Sequence, residues 1–535
     1  MAQFNILQGS ERRLLPNSRL AGPVDRSEIA SITIRVRSKG NLLELEKLVL
    51  SEGAKPLRER KLPTRAKLNE KYGARAEDLT AVEHYAARHN LVVEHRSTAE
   101  RVVRLRGALG DVLHSFPAFL HLYHHSLGTY RGRSGGIQIP DHLEGIITGI
   151  FGLDTRPMRR ARPHERVIAA GPGGGNGETA TFFAQRYSFP AESKGTALDG
   201  SGQTIALIEL GGGYDSGDLQ VYFNEIGCSV PNVSNVTVGS TNNPGIDSDS
   251  DGEVMMDIEI AGTVAPKADI VVYFAPNTGD GFRNAISAAI HDTERKINVI
   301  SISWGSAEPD HGDQQEIDDY HSLFVEAASQ NITICVASGD HGVAVEDQAH
   351  WDGKVHVSHP ACDPLVIACG GTQIDPASGT DTVWNDETPF APDQPGGGGW
   401  TTGGGFSQLF GVPDYQQGTN LGAPLPGQNP GRGLPDLAMS AVDYFVRVDS
   451  AEGSGGGTSA VAPLMAALIA RLNQAKGVNS GFINPLLYQH PEVFHDVTGG
   501  SNAIMNTTAG YDAGFGWDAC TGLGTPDGTA ILGIL

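Results

Sequence analysis

The sequence predicts an α/β fold with a mostly parallel sheet covered by helices on both faces, preceded by a smaller α+β unit. Three observations carry this. From residue 204 onward, continuous β-branched runs alternate with helical segments, the pattern of strands buried on both faces. At 535 residues the chain is long for one domain, so two or more folded units are expected. The charge is also split: residues 1–190 hold 29 Lys+Arg and 19 Asp+Glu, whereas the remainder holds 10 and 43, for a net charge of -23. A basic unit is thus joined to a strongly acidic one. Such a pair suggests electrostatic docking near neutral pH that weakens when acid protonates carboxylates; two surfaces tuned separately for solubility is the plainer alternative.

Residues 29–37 alternate as a strand and lead into an amphipathic, charge-rich region. A helix over 77–90, a strand at VVEHRS and a helix or strand–helix unit from AERVVRLRG complete a compact unit ending near Phe151. The basic, Pro-rich RPMRRARPHER and the Gly-rich GPGGGNGE then read as an exposed, cleavable linker. In the larger part, strands at 204–210, 268–276, 298–305 and 332–340 alternate with helices at DLQVYFNEIG, GFRNAISAAIHD and QEIDDYHSLFVEAASQ. Functional residues of such sheets gather at the carboxyl ends of strands, where Glu209, Trp304 and Asp340 fall.

Composition excludes several classes. Hydrophobic content of 39% with 19% charged residues is globular, and 69 glycines suit a loop-rich enzyme. The longest apolar run, near 460–472, is interrupted by Pro463 and Arg471 and is too short to cross a bilayer. The N-terminus lacks the apolar core of a secretory signal, which leaves export open. Dispersed Arg and Lys without a recognition motif argue against nucleic acid. Five cysteines cannot all pair; Cys335 and Cys369 sit in apolar runs and read as buried thiols, and no metal-ligand spacing occurs.

Ser459, in GSGGGTSAVAPLMAALIARL, follows a Gly-rich approach and opens a helix, where free N–H groups favour developing negative charge; an ordinary helix-start serine is the bland alternative. A nucleophile needs a base, and no histidine motif of the H-G-T-H or HExxH type is present. Instead, DSDGEVMMDIEIAG spaces Glu253 and Asp257 four apart, on one helical face, with Val254, Ile258 and Ala261 apolar. Two like charges held close push one pKa upward, so one carboxyl can act as a base while its neighbour shares the proton. A solvated acidic helix start is the alternative.

With GGTSA, the E-x-x-x-D helix, SGD, SISWG, ACGGT, TVWND and GFGWDACTGLG together, the sequence resembles the sedolisin family of serine-carboxyl peptidases, and its kumamolisin branch most, over essentially the whole chain. The resemblance implies a subtilisin-like catalytic domain over 183–535. Before it would come an inhibitory, chaperoning prodomain of ferredoxin-like α+β type over 1–155, and a linker cut on maturation over 156–182. It implies a secreted zymogen, acid-active and self-activating, that hydrolyses protein or peptide substrates through an acyl-enzyme. A monomer is expected, with no membrane or nucleic-acid partner. Ser459 resembles the nucleophile, Glu253 the general base, Asp257 its partner and Asp340 the oxyanion-hole aspartate; Glu209 and Trp304 match outer members of the hydrogen-bond network. A protonated Asp340 would donate to the oxyanion, whereas an ionised one would repel it. The resemblance also implies one Ca²⁺ held by Asp496, the carbonyls of Val497, Gly514 and Gly516, and Asp518.

His114, His121, His124 and His125 cluster in a segment read as helical and could charge on acidification. The family's SGDSG is SGDHG here, with His341, and Ser358 and His359 stand where relatives often carry an acidic and an apolar residue, so pocket preference is not transferred. A catalytically silent scaffold on the same fold would lack one of the site residues. A histidine-dependent subtilase or esterase would need the missing motif.

Overall fold

The computed structural model describes residues 3–125, 128–158, 177–308, 312–345, 352–386, 399–504 and 509–535. In the N-terminal unit, strands β1 (Ile29–Val36), β2 (Val92–Ser97), β3 (Val102–Ala108) and β4 (Ile147–Phe151) form an antiparallel sheet in the order β2-β3-β1-β4. Helices α1 (Leu42–Gly53) and α2 (Ala76–Ala87) join β1 to β2, and α3 (Leu109–Ser115) follows β3. This is the split βαβ arrangement expected of a ferredoxin-like unit. Alternation along β1 decides its two contacts. Ile32, Ile34 and Val36 enter the unit's own core with Leu79 and Val82, while Thr33 and Arg35 point at the larger unit.

The large unit is built on a sheet of β5 (Thr204–Glu209), β6 (Asn232–Thr237), β7 (Asp269–Phe274), β8 (Val299–Ile302), β9 (Thr333–Ala337), β10 (Ile367–Ile374), β11 (Asp381–Val383) and β12 (Leu437–Ser440). The order is β6-β7-β5-β8-β9-β10-β11, with β12 beside β10; all pairs are parallel except β10–β11. Helices α4 (Ala180–Arg186), α5 (Ser216–Glu225), α6 (Ser248–Val264) and α9 (Thr458–Lys476) cover one face, and α7 (Gly279–His291) and α8 (Gln314–Ser329) the other. Along β5, Ile205 and Leu207 join the first core and Ala206 and Ile208 the second, which is why the whole strand reads as apolar.

One feature of the sequence reading needs correction. Most of the expected 156–182 linker lies outside the described residues; at its start Arg156 and Met158 are buried, the former paired with Asp154 at 3.0 Å, whereas Gly177, Glu178 and Phe182 at its end are exposed and a helix runs over Ala180–Arg186. The four histidines are not in one helix. His114 closes α3, whereas His121, His124 and His125 lie on the strand Phe119–His125, where alternation puts His121 and His125 on one face and His124 on the other. The histidines at the boundary between the units are ones not singled out from sequence: His291 pairs with Glu326 at 3.1 Å, and His321 with Asp363 at 2.8 Å and Glu46 at 3.4 Å. All five cysteines are free, and Cys335, Cys362, Cys369 and Cys520 are buried.

Helix α8 holds the two units together. Leu45 and Val49 of α1 enter the same core as Leu323 and Phe324. Around that apolar contact, Asp313 at the N-cap, Glu316, Asp319 and Glu326 meet arginines of the N-terminal unit. Arg133 pairs with Asp313 and Arg12 with Glu316; Arg35 bridges Asp319 at 2.8 Å and Glu326 at 3.0 Å, and Arg101 reaches Glu326 at 2.6 Å. The expected meeting of basic and acidic surfaces is therefore a buried ion network on one helix. Burial by itself would raise the Glu326 carboxyl, but Arg101 and Arg35 overcome this and hold it well below its ordinary range. A carboxyl depressed in the fold contributes stability above its ordinary pKa of about 4.5, lost as pH falls below it.

Arg35→Ala strands Asp319 and Glu326 with one partner fewer, and breaking a buried pair costs about 3–5 kcal/mol. Denaturant unfolding of the full-length chain at pH 7 should show a loss of that order. Combined with Glu326→Ala the two losses should fall well short of additive, and the coupling should shrink as pH drops from about 5 to about 3. Additive losses at both pH values would show the network to be uncoupled.

Candidate active site

The sheet delivers its polar groups at one end. Glu209 is the last residue of β5, Ser303 and Trp304 follow β8, and Asp340 lies three residues beyond β9. Helices α6 and α9 run against that end from one side, presenting Glu253 and Asp257, and Ser459 in the first turn of α9. All of these residues are buried. Glu253 is 1% exposed and Asp257 is fully buried, so α6 is no solvated acidic helix start.

Within this cluster the contacts are specific. Trp304 Nε1 donates to Glu209 Oε2 at 3.0 Å. Ser303 Oγ lies 2.9 and 3.1 Å from the two oxygens of Asp257, and Ser459 Oγ donates to the Ser303 carbonyl at 3.5 Å. Burial, then the charge of Glu253, pushes the Glu209 carboxyl well above its ordinary value, and burial with Glu209 does the same to Asp257.

Asp340 is held from the nucleophile's own helix. Its Oδ1 accepts both the Thr458 N–H and the Thr458 hydroxyl at 2.7 Å, and Thr458 Oγ1 in turn accepts the Gly339 N–H at 3.0 Å. Burial raises Asp340 to about 7 against these hydrogen bonds. Its Oδ2 is buried with no hydrogen-bond partner among the described residues. Gly457 sits at φ 106, a left-handed conformation, and a Cβ there would come 2.7 Å from Asp340 Oδ2; glycine lets the chain enter α9 with the carboxyl alongside.

The divergent residues are placed as well. His341 stacks on Trp400 at 4.5 Å. His359, fully buried and edge-on to Tyr320 at 5.3 Å, is lowered to about 4 by burial. Ser358–His359 pairs with Ser306–Ala307 as a short antiparallel ladder. Ser303 and Thr458 were not singled out from sequence. The signal available was a pair of serines, Ser301 and Ser303, in an otherwise apolar strand end, which by itself does not tell a site from a turn.

Near the C-terminus, Asp496 and Asp518 flank one turn: Asp518 Oδ2 accepts the Gly514 N–H at 3.1 Å and Asp496 Oδ2 the Gly516 N–H at 3.0 Å. Neither carboxylate forms an ion pair among the described residues, and burial raises Asp518. No cluster of three or more His, Cys, Asp or Glu side chains is found among those residues, so a cation here would also draw on backbone carbonyls. Two carboxylates about one glycine turn are a hard-oxygen donor set that fits calcium.

Comparison with known proteins agrees with this architecture. The family described as "Pro-kumamolisin, activation domain" matches residues 16–156, and the "Subtilase family" matches residues 233–517. Kumamolisin of Bacillus sp. (strain MN-32) is 41% identical over 99% of this chain and 96% of its own length. Sedolisin of Pseudomonas sp. (strain 101) is 26% identical over 93% of this chain and 85% of its own. The solved structure of Pseudomonas sedolisin complexed with two molecules of pseudo-iodotyrostatin aligns with a TM-score of 0.56 at 28% identity, covering 68% of this chain and 98% of that one. Fold and relatives together define a serine-type peptidase on a subtilisin-like frame. The chain belongs to the sedolisin family and carries a kumamolisin-type activation domain at its N-terminus.

The raised Asp340 has a measurable consequence. A group titrating at about 7 in the fold and near 3.8 when unfolded keeps a proton in the native state across that window, so its contribution to stability falls as pH rises through it. Asp340→Asn should flatten the decline in melting temperature between about pH 4 and 7; a decline as steep as wild type would place Asp340 outside this role.

Proposed function

We propose that the chain is the zymogen of an acid-active serine endopeptidase, with Ser459 as nucleophile, Glu253 as general base and Asp257 as the residue that shares its proton. The observation that carries this reading is Asp340: buried, raised to about 7, its Oδ1 engaged by Thr458 and its Oδ2 left without a partner among the described residues. In acid it is a neutral hydrogen-bond donor beside the nucleophile's helix, the condition for stabilising an oxyanion with a carboxyl group.

In this reading Ser459 Oγ attacks the peptide carbonyl as its proton passes to Glu253. The tetrahedral oxyanion receives a hydrogen bond from Asp340, and Glu253 returns the proton to the leaving amine. Water then releases the acyl group by the same steps. Glu209, bonded to Trp304, extends the carboxylate chain and disfavours a fully ionised cluster. The N-terminal unit acts as intramolecular inhibitor, docked through α8, and is severed in the 156–182 segment by the enzyme itself in acid. Secretion and a monomeric state complete the proposal. Asp496, Asp518 and the carbonyls of Val497, Gly514 and Gly516 would hold one structural Ca²⁺, which would tie the C-terminal loop down.

Incubation of the full-length chain at about pH 4, near carboxyl pKa values, should produce self-shortening and hydrolysis of a peptide substrate, both absent from Ser459→Ala. Wild-type chain that does neither, or a variant that does both, would overturn the assignment. Chelation of calcium should lower the melting temperature by several degrees, reversed by Ca²⁺ and not by Mg²⁺. Asp496→Asn with Asp518→Asn should start at the lower value and not respond.

A further inference from the structure

Ser303 touches both Asp257 and Ser459, and neither the sequence reading nor the catalytic scheme uses its side chain. It follows β8, is fully buried, and its Oγ lies 2.9 Å from Asp257 Oδ2, 3.1 Å from Asp257 Oδ1 and 3.3 Å from the carbonyl oxygen of Ser459. Its own carbonyl accepts Ser459 Oγ at 3.5 Å. We infer that Ser303 is a positioning residue for the proposed reaction: its hydroxyl fixes Asp257 and favours that residue's ionised form, while its backbone holds Ser459 on the other side. The inference rests on the reading of Ser459, Glu253 and Asp257 given above.

A serine hydroxyl has one proton to donate, and a carboxylate is a stronger acceptor than a peptide carbonyl, so the bond to Asp257 prevails over that to Ser459. Among the described residues the titratable groups facing Asp257 are Glu253, one turn earlier on α6, and Glu209 at the end of β5; Ser303 and Trp304, just beyond β8, and Ser459 on α9 are uncharged. These ionisable neighbours are carboxyls, and neutral donors oppose protonation: Ser303 at Asp257 and the Trp304 indole at Glu209. Burial and Glu209 raise Asp257, and the Ser303 hydrogen bond pulls in the opposite direction. When Glu253 takes the proton from Ser459, an ionised Asp257 can accept a hydrogen bond from the new Glu253 carboxyl, and the Ser303 hydrogen bond enlarges the fraction of molecules in that form. Without Ser303 the pair retains its protons to higher pH and fewer molecules can act as base.

The expected signature is a displaced acid limb. With Ser303→Ala the rise of kcat with pH on the acidic side should move upward by about one pH unit, the size of one hydrogen bond to a charged group, with KM changed less than about twofold. Full-length wild type, Ser303→Ala, Ser303→Cys and Ser459→Ala are matured in acid, or by an unrelated protease where self-cleavage fails. Each is then assayed on a quenched fluorescent peptide from about pH 3 to 6, with melting temperature measured beside it. Ser303→Cys keeps the size and a weaker donor, so it should show the same displacement in smaller measure and decides the matter should the alanine chain not fold. An acid limb unmoved in a folded variant, or an effect confined to KM, overturns the role of Ser303. Loss of activity in wild type, or activity kept in Ser459→Ala, instead overturns the reading of the triad, so the two failures are told apart.

Discussion

Taking a carboxylate out of water costs several kcal/mol unless a cation, hydrogen bonds or a proton compensates it, and this chain buries many. It meets the cost in two ways. On α8, Asp313, Glu316, Asp319 and Glu326 face arginines from the N-terminal unit. At the carboxyl end of the sheet, burial raises Glu209, Asp257 and Asp340, and the neutral donors Trp304, Ser303 and Thr458 offset only part of that rise. The first solution needs ionised carboxyls and the second needs partly protonated ones.

Their pH dependences therefore oppose each other. Groups depressed by arginine, such as Glu326 and Asp154, contribute stability that acid removes. Groups raised by burial, such as Asp340, contribute stability that base removes. Lowering the pH therefore removes part of the stability that Glu326 lends to the contact between the two units, while Asp340 keeps its proton.

Much of this was legible in the sequence because it rests on periodicity and spacing. Strands such as Thr204–Glu209 are apolar throughout since both faces are buried, and a spacing of four puts Glu253 and Asp257 on one side of α6. The charge split foretold the docking but not its location: arginines spread from Arg12 to Arg133 look dispersed along the chain, and only the folded sheet and hairpin bring them onto one helix. The histidine segment was misread because runs such as FLHLYHH carry no decisive period, and pairing with neighbouring strands settled it.

The sequence by itself determined the parallel sheet, the division into a basic and an acidic unit, and the residue types able to act at its strand ends, because local patterns of apolarity and charge are written in neighbouring positions. Only the tertiary structure decided which groups touch. Ser303 joins Asp257 to Ser459 across 46 and 156 residues, and Thr458 meets Asp340 across 118. Burial of these carboxyls, and with it their protonation, likewise comes from the packing of α6 and α9 against the sheet. A contact between distant residues has no local period, and a pKa set by desolvation exists only once the surrounding core has formed.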